Sequence, residues 1–161
     1  MITIRQATLA DLPQIIAMDQ EVFGSYGAQE KPAVIRGRLE VFPSGCAVLE
    51  TETDQEFVGY LTTEKWESIR EPVLDEDPHQ THQPHGRTLC VTTFCIGPDF
   101  QNQGLGPRLL DYTIELARSH QCLEIVLETA HAQKFYTRHG FETLNQRTQR
   151  GIPLYVMRLQ L

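Results

Sequence analysis

The chain has 161 residues, 40% of them hydrophobic and 22% charged, a composition that is ordinary for one globular domain with a full core. Its 14 Lys and Arg and 21 Asp and Glu leave a formal net charge of −7, which disfavours nucleic acid and acidic membranes as partners. The sequence has no apolar run of transmembrane length and no signal-peptide pattern at its start, so we expect a cytoplasmic protein with a single domain over residues 1–161.

Hydrophobic periodicity divides the first half of the chain into strands and helices. Residues 2–6 alternate between apolar and polar, and apolar residues then recur at helical spacing from Leu12 onwards. The predicted elements are a strand at residues 2–6, a helix from Leu12 to Val22, a helix from Pro32 to the break at Pro43, and strands at residues 46–51 and 56–66.

Residues 67–86 differ from the rest of the chain because almost none of them can enter a core. They include three prolines, the acidic run at residues 75–77, and His79, His82 and His85. A connection this long in a compact domain is typically functional or disordered. The histidines are candidate metal ligands, but a spacing of three in a loop broken by prolines matches no helix face, so a solvated loop is the favoured interpretation.

A glycine-containing turn organises the second half of the chain. An apolar strand at residues 89–96 leads to the hexapeptide QNQGLG at residues 101–106, which opens into a periodic helix from Pro107 to His120. Gly104 and Gly106 allow a tight turn and leave the N–H groups of a helix start open to an anion such as a diphosphate. The pattern matches neither the dinucleotide-binding fingerprint nor the phosphate loop of nucleotide hydrolases, and by itself it also fits an ordinary helix start.

Three segments, in order along the chain, carry a family resemblance. The hexapeptide at residues 101–106, following a strand that ends at Ile96, resembles motif A of the GNAT superfamily of N-acetyltransferases. The sequence AQKFYTRHGF at residues 132–141 is similar to motif B of the same family, and IRQATLADLPQI at residues 4–15 is similar to its usual opening. The resemblance covers nearly the whole chain.

The remaining apolar runs agree with the fold that this resemblance implies. Residues 122–127 predict a strand, a short amphipathic helix precedes Phe141, and residues 141–146 and 154–159 predict two strands joined by residues 147–151. The order is β-α-α-β-β-β-α-β-α-β-β. We therefore predict a single-domain α/β GNAT-like fold, with a mixed, mostly antiparallel sheet, helices on both faces and a splay between the central strands.

The resemblance implies that acetyl-coenzyme A lies in this splay. Backbone groups at the end of the central strand would pair with the pantetheine as an added strand does, and N–H groups of the glycine turn would hold the pyrophosphate. Pro107 removes one N–H donor, and Arg108 either adds positive charge or is a solvated helix residue. The predicted cofactor-binding residues are Phe94, Cys95, Ile96, Gln101, Asn102, Gln103, Gly104, Leu105, Gly106, Pro107 and Arg108.

The resemblance also implies a catalytic role for Tyr136. Motif B places a tyrosine where it can protonate the departing thiolate, and a phenol with a pKa of about 10 keeps its proton at neutral pH. The alternative is a half-buried tyrosine that packs beside Phe135. Thr129 occupies the position at which the family often has an asparagine, so the contact made by that asparagine is in doubt.

The acceptor amine needs a base, and no motif marks one. A lysine-like amine has a pKa of about 10.4, so only about one molecule in 2,500 is neutral at pH 7. We predict Glu128, at the end of its strand and beside Tyr136, as the base. Glu64 and His85 are further candidates, and each of the three also fits a surface polar residue.

The sequence therefore predicts an N-acetyltransferase that transfers an acetyl group from acetyl-coenzyme A directly to a primary amine in a ternary complex, without a metal. The acceptor would be a small molecule or a peptide, and a homodimer is compatible with the pattern. One alternative is a coenzyme A-binding sensor without catalysis. Another, less favoured, is a covalent relay through Cys95.

The loop at residues 67–86 gives an expectation about the acceptor. It carries Glu67, Glu71 and the acidic run at residues 75–77 against a single Arg70, and the fold would place it at the acceptor entrance beside Trp66. An acidic rim attracts cations, so we expect a cationic amine with an apolar part. The alternative is that the charge serves solubility alone.

Overall fold

The computed structural model describes residues 1–70 and 72–161 and, at residue 26, the backbone alone. The described strands form one seven-stranded sheet with the order β1-β2-β3-β4-β5-β7-β6. The elements are β1 Ile2–Gln6, α1 Leu12–Phe23, α2 Pro32–Val41, β2 Ala47–Thr51, β3 Phe57–Trp66, α3 Pro78–Thr81, β4 Thr88–Ile96, α4 Leu105–Ser119, β5 Glu124–Thr129, α5 Gln133–Arg138, β6 Glu142–Gln149 and β7 Ile152–Gln160.

The sheet is antiparallel except at its centre, where β4 and β5 run in parallel. Their ladder covers only Thr88–Cys90 of β4 and Glu124–Val126 of β5. Beyond these residues β4 continues to pair with β3, and β5 continues to pair with β7, so the two halves of the sheet diverge. The predicted α/β fold with a splayed, mostly antiparallel sheet is confirmed.

Helices cover both faces of the sheet because successive strand residues point to opposite sides. On one face Tyr60 packs with Ile15 of α1 and Leu39 of α2. On the other face the next residue, Leu61, packs in a larger cluster with Leu109 of α4. Both clusters consist of buried apolar side chains, and together they form the core that holds the splayed strands in place.

The segment between β3 and β4 is more ordered than the sequence predicts. Pro78 is buried at the start of the short helix α3, and the Asp77 carboxylate caps that helix by accepting from the His79 N–H at 3.0 Å. The His82 ring stacks on Phe42 at a centroid distance of 4.7 Å, and its Nδ1 accepts from the Lys65 N–H at 3.1 Å. The expectation that almost nothing here enters a core is corrected at Pro78, which is buried, while His82 is half-buried against Phe42.

The last hairpin is tighter than the sequence predicts. Strand β6 runs on to Gln149 and β7 begins at Ile152, so only Arg150 and Gly151 form the turn. Both turn residues have positive φ, 53° and 77°, which matches the right-handed twist of a two-residue hairpin. The predicted loop at residues 147–151 is therefore largely strand.

Two kinds of feature are missing from residues 1–70 and 72–161. No helix there is both long enough and apolar enough to cross a membrane. No group of three or more His, Cys, Asp or Glu side chains there has the arrangement of a metal site. His79 and His82 instead take part in the local contacts of α3 and Phe42.

Candidate active site

The divergence of β4 and β5 opens a cavity of about 950 Å³. Its walls come from the carboxyl-terminal halves of both strands, the glycine turn before α4, the end of α1, the segment after β3 and the β6–β7 hairpin. Such a gap, at strand ends and next to a helix start, is where open α/β sheets bind their ligands.

The glycine turn presents backbone to this cavity. Asn102 and Gly104 have left-handed backbones, with φ of 63° and 77°, and turns of this kind direct successive N–H groups into an anion-binding concavity. A Cβ atom at Gly104 would meet no heavy atom within 4 Å, so the space in front of this backbone is open. The Gln101 side chain donates to the Ile96 carbonyl at 3.3 Å and ties the turn to β4. These residues fit a diphosphate at the start of α4.

Most residues predicted to bind the cofactor line the cavity. Gln103 lies outside this lining and is exposed. Arg108 also lies outside it, and its guanidinium donates to the Ile2 carbonyl at 2.9 Å. The predicted residues that do line the cavity are Phe94, Cys95, Ile96, Gln101, Asn102, Gly104, Leu105, Gly106 and Pro107.

Tyr136 reaches the same cavity from α5 and is 5% exposed. The rings of Phe94, Phe135 and Phe141 surround it at centroid distances of 5.9, 5.1 and 5.2 Å. Burial raises the pKa of its phenol, so Tyr136 keeps its proton at neutral pH. Within the part of the chain that the structure describes, its hydroxyl makes no hydrogen bond, which leaves it available to donate to a ligand.

Two of the three candidate bases line the cavity, and both are already bonded. Glu128 accepts from Arg147 through both carboxylate oxygens at 2.8 Å. Glu64 accepts from the Thr81 hydroxyl and, at 3.5 Å, from Arg38. His85 lies instead in a separate depression at the amino-terminal ends of β4 and β5.

Sequence reasoning missed Asp19 of α1, which lines the cavity and is 2% exposed. The Tyr60 hydroxyl donates to its Oδ1 at 2.9 Å, and the Glu30 N–H donates to its Oδ2 at 2.8 Å. Burial raises the pKa of this carboxyl above its ordinary value. One sequence signal was present: Asp19 lies four residues after Ile15, on the apolar face of α1.

The surroundings of Thr129 and Cys95 answer two questions from the sequence: what replaces the asparagine contact, and whether Cys95 could act as a covalent relay. The Thr129 hydroxyl accepts from the Ala132 N–H at 3.1 Å, so it closes the turn that leads into α5. Burial raises the pKa of Cys95 to about 12, which keeps it a thiol at neutral pH. A thiol is a poor nucleophile, so this environment offers no support for a covalent relay.

The acidic side chains of the loop take part in more local contacts than its composition indicates. Glu76 pairs with Arg70 at 2.6 Å, and the Arg70 guanidinium lies 4.1 Å from the centre of the Trp66 ring. Asp75 accepts from the Lys31 N–H at 2.8 Å, while Asp77 caps α3. Glu71 lies outside the described residues.

A strand that leaves its parallel neighbour beside a glycine turn is the architecture that the GNAT class of acyltransferases uses for its thioester substrate. The comparison with family models gives the same class, since the model described as "Acetyltransferase (GNAT) family" matches residues 12–141. The chain belongs to this family.

One curated relative is the uncharacterized N-acetyltransferase YkwB of Bacillus subtilis (strain 168). It is 24% identical over 127 residues, which cover 71% of this chain and 54% of YkwB. The chain thus spans about half the length of this relative.

Solved structures share the fold over nearly the whole chain. The loading GNATL domain of CurA from Lyngbya majuscula superposes with a TM-score of 0.85 at 18% identity, covering 99% of this chain and 98% of that one. Arabidopsis thaliana Naa50 in complex with the bisubstrate analogue CoA-Ac-MVNAL superposes with a TM-score of 0.73 at 13% identity, covering 99% of each chain. At these identities the likeness concerns the fold.

Proposed function

We propose that this protein is an N-acetyltransferase that transfers the acetyl group of acetyl-coenzyme A to a primary amine within a ternary complex. One observation carries the proposal: the glycine turn, the open edge of β4 and the protonated Tyr136 all face one cavity. Family membership and the coenzyme A-containing ligand of the Naa50 neighbour support the choice of cosubstrate.

The cosubstrate would lie along β4 and across the start of α4. Backbone groups of residues 94–96 would bind the pantetheine, because beyond Cys90 this strand does not pair with β5 in the described sheet. The N–H groups of residues 102–106 would hold the pyrophosphate. Gln103 and Arg108 stay predictions, and their part is expected to be small since both lie outside the lining of the cavity.

The bound thioester supplies an activated acetyl group, and the chain supplies position and protons. The neutral amine attacks the thioester carbonyl, and the carbon–sulfur bond then breaks. Tyr136 gives its proton to the departing thiolate, which avoids the release of an unprotonated thiolate into an apolar pocket. The sequence makes Glu128 the candidate for the base. Its bidentate ion pair with Arg147 also suits a structural role, in which Glu128 stabilises the wall of the site.

The acceptor side of the cavity favours a cationic primary amine with an apolar part. Glu30 and Glu64 pair with the buried Arg38, and the Glu30 N–H binds the buried carboxylate of Asp19, so three buried carboxylates share one buried arginine among the described residues. An ammonium group fits this excess of negative charge. The exposed apolar side chains Val73 and Leu74 at the mouth would contact the rest of the acceptor, whether a small molecule or a peptide.

Release of free coenzyme A thiol from acetyl-coenzyme A, measured across a panel of amines, tests the proposal. We expect release with cationic primary amines and little with anionic acceptors. Tight binding of acetyl-coenzyme A by calorimetry, without thiol release for any amine, would overturn the proposal in favour of a binding module. A homodimer remains a prediction, which sedimentation would check in parallel.

A further inference from the structure

We infer that Asp19 binds the ammonium group of the acceptor and accepts its proton. This inference rests on the proposed function and names the residue that would make a cationic amine reactive. The argument depends on charge pairing around the cavity, on the hydrogen bonds that fix the carboxylate, and on its position over β4.

Charge pairing singles out Asp19 among the carboxylates of the cavity wall. Five carboxylates of the described residues line the cavity, and four of them have an arginine partner. The pairs are Glu30 and Glu64 with Arg38, Glu76 with Arg70, and Glu128 with Arg147. Asp19 is the fifth, and it has no salt bridge within the described part of the chain. A cationic ligand would supply the missing partner.

The carboxylate of Asp19 is held in one orientation by two donors from different segments. The Tyr60 hydroxyl and the Glu30 N–H each bind a different oxygen, at 2.9 and 2.8 Å. Each carboxylate oxygen can accept more than one hydrogen bond, so both keep capacity for an ammonium donor. The site is therefore formed before the acceptor binds.

Asp19 also lies near β4, the strand that would hold the thioester. Tyr60, which binds it, pairs directly with Cys95 across the β3–β4 ladder. Tyr60 and Cys95 also belong to the same cluster of buried side chains as Ile15 and Met18 of α1, the helix that carries Asp19. Cys95 belongs to the segment that would hold the pantetheine, so an amine bound at Asp19 would lie close to the acetyl group.

The surroundings of Asp19 make it a better proton acceptor than an exposed aspartate. Burial raises its pKa, and the charge of Glu30 acts in the same direction, while the Glu30 N–H, the Tyr60 hydroxyl and the charge of Arg38 oppose it. Cys95 of β4, which pairs with Tyr60 in the ladder, stays neutral because burial raises its pKa. A carboxylate that is more basic than usual takes a proton from an ammonium with less free-energy cost.

The proton balance of the reaction is complete with these two residues. The ammonium loses one proton to Asp19, and the neutral nitrogen forms a bond to the thioester carbon. The carbon–sulfur bond breaks, and Tyr136 protonates the sulfur. A second proton, lost by the acetylated nitrogen, restores Tyr136, while Asp19 returns its proton to solvent. One proton is released per turnover.

Asp19→Asn, assayed with two acceptors, tests the inference. With a strongly basic primary amine, such as phenethylamine, we expect kcat/KM to fall about 10²- to 10⁴-fold, the usual contribution of a general base. With a weakly basic arylhydrazine, which is already neutral at pH 7, the loss should be less than about tenfold because no proton must be removed before attack. Equal losses with both acceptors would overturn the assignment.

Two further variants, Tyr60→Phe and the control Asp54→Asn, test the role of Asp19 through the pH dependence of the reaction. Removal of the Tyr60 hydroxyl takes a donor from the Asp19 carboxylate, so the acidic limb of the pH profile of kcat/KM should move to higher pH. Asp54→Asn makes the same carboxylate-to-amide change at an exposed position of the turn between β2 and β3 and should leave the profile unchanged. An unmoved limb in Tyr60→Phe would contradict a proton-accepting role for Asp19.

A binding measurement separates this inference from the proposed function. In the coenzyme A-bound protein, labelled at aspartate carboxyl carbons, phenethylamine should shift the Asp19 resonance and not that of exposed Asp54. If the wild type releases no thiol with any amine but Asp19 still shifts, the proposed function fails and the ammonium site stands. If thiol is released but Asp19 does not shift, the proposed function stands and this inference fails.

Discussion

The two walls of the cavity are built in different ways. The wall assigned to acetyl-coenzyme A is made mainly of backbone, at the edge of β4 and in the turn that starts α4. The wall assigned to the acceptor is made of charged side chains that converge from α1, α2, β3 and β6. A site made of backbone can be encoded by one short stretch of sequence. A site made of paired side chains forms only when distant segments of the chain fold together.

This difference predicts how each wall responds to substitution. Changes on the acceptor wall break buried ion pairs and should reduce the stability of the whole protein. Changes on the cosubstrate wall should affect binding or chemistry, with a smaller loss of stability. The following four experiments test that contrast, from the largest expected effect to the smallest.

Arg38→Ala should have the largest effect on folding. Arg38 is buried between Glu30 and Glu64, and its removal leaves two buried carboxylates without a cation. We expect a loss of about 3–5 kcal/mol in the free energy of unfolding, measured by urea denaturation. Arg36→Ala, on the same helix but at an exposed pair with Glu40, should cost about 1 kcal/mol or less. Similar losses in both variants would contradict a wall stabilised by buried pairs.

Tyr136→Phe should separate chemistry from binding on the other wall. The ring contacts with Phe94, Phe135 and Phe141 remain, while the proton donor is removed. We expect kcat to fall by about 10²-fold or more, with the affinity for acetyl-coenzyme A nearly unchanged. If kcat stays within about twofold of wild type, Tyr136 is a packing residue and another group protonates the thiolate.

Gly104→Val should weaken acetyl-coenzyme A binding by placing a side chain in the proposed pyrophosphate space. Gly151→Val is a matched control, because both glycines have φ of 77° and neither Cβ would meet an atom within 4 Å. Both variants should lose similar stability from backbone strain, about 1–2 kcal/mol. Calorimetry should show an affinity about tenfold lower for Gly104→Val alone, a loss of about 1.4 kcal/mol. Equal affinities in the two variants would remove the phosphate assignment.

The same contrast explains what the sequence could predict. The glycine turn and Tyr136 lie in short contiguous motifs, so the cosubstrate wall was predicted from local pattern. The partners of the acceptor wall are far apart in sequence: Tyr60 binds Asp19 across 41 positions, and Arg147 binds Glu128 across 19. No periodicity encodes such pairs, so Glu128 was read as a free base and Asp19 as part of a helix.

The strands and long helices were predicted correctly for a similar reason, since each follows from a local hydrophobic period. The two regions that differ from the prediction, α3 and the end of β6, depend on contacts between particular residues. Helix α3 has only four residues and exists because Asp77 caps it and Pro78 is buried against the domain. The extension of β6 depends on its pairing with β7, since its own residues are mostly exposed and polar.

Glu76→Gln should give the smallest effect and tests whether the rim of the acceptor wall attracts cations. Glu76 lines the cavity, and its loss leaves Arg70 without this partner, so the rim becomes more positive. For a cationic amine at low salt we expect KM to rise about two- to fivefold, the range of an exposed ion pair, and the dependence of KM on salt to become weaker. Asp75 and Asp77 are less suitable targets because they hold Lys31 and α3 in place. Glu115→Gln, at an exposed position of α4, is the control and should leave both measurements unchanged. An unaltered KM in Glu76→Gln would show that cationic amines are selected by the buried wall around Asp19 and not by the rim. A best acceptor with net negative charge would exclude selection of cationic amines altogether.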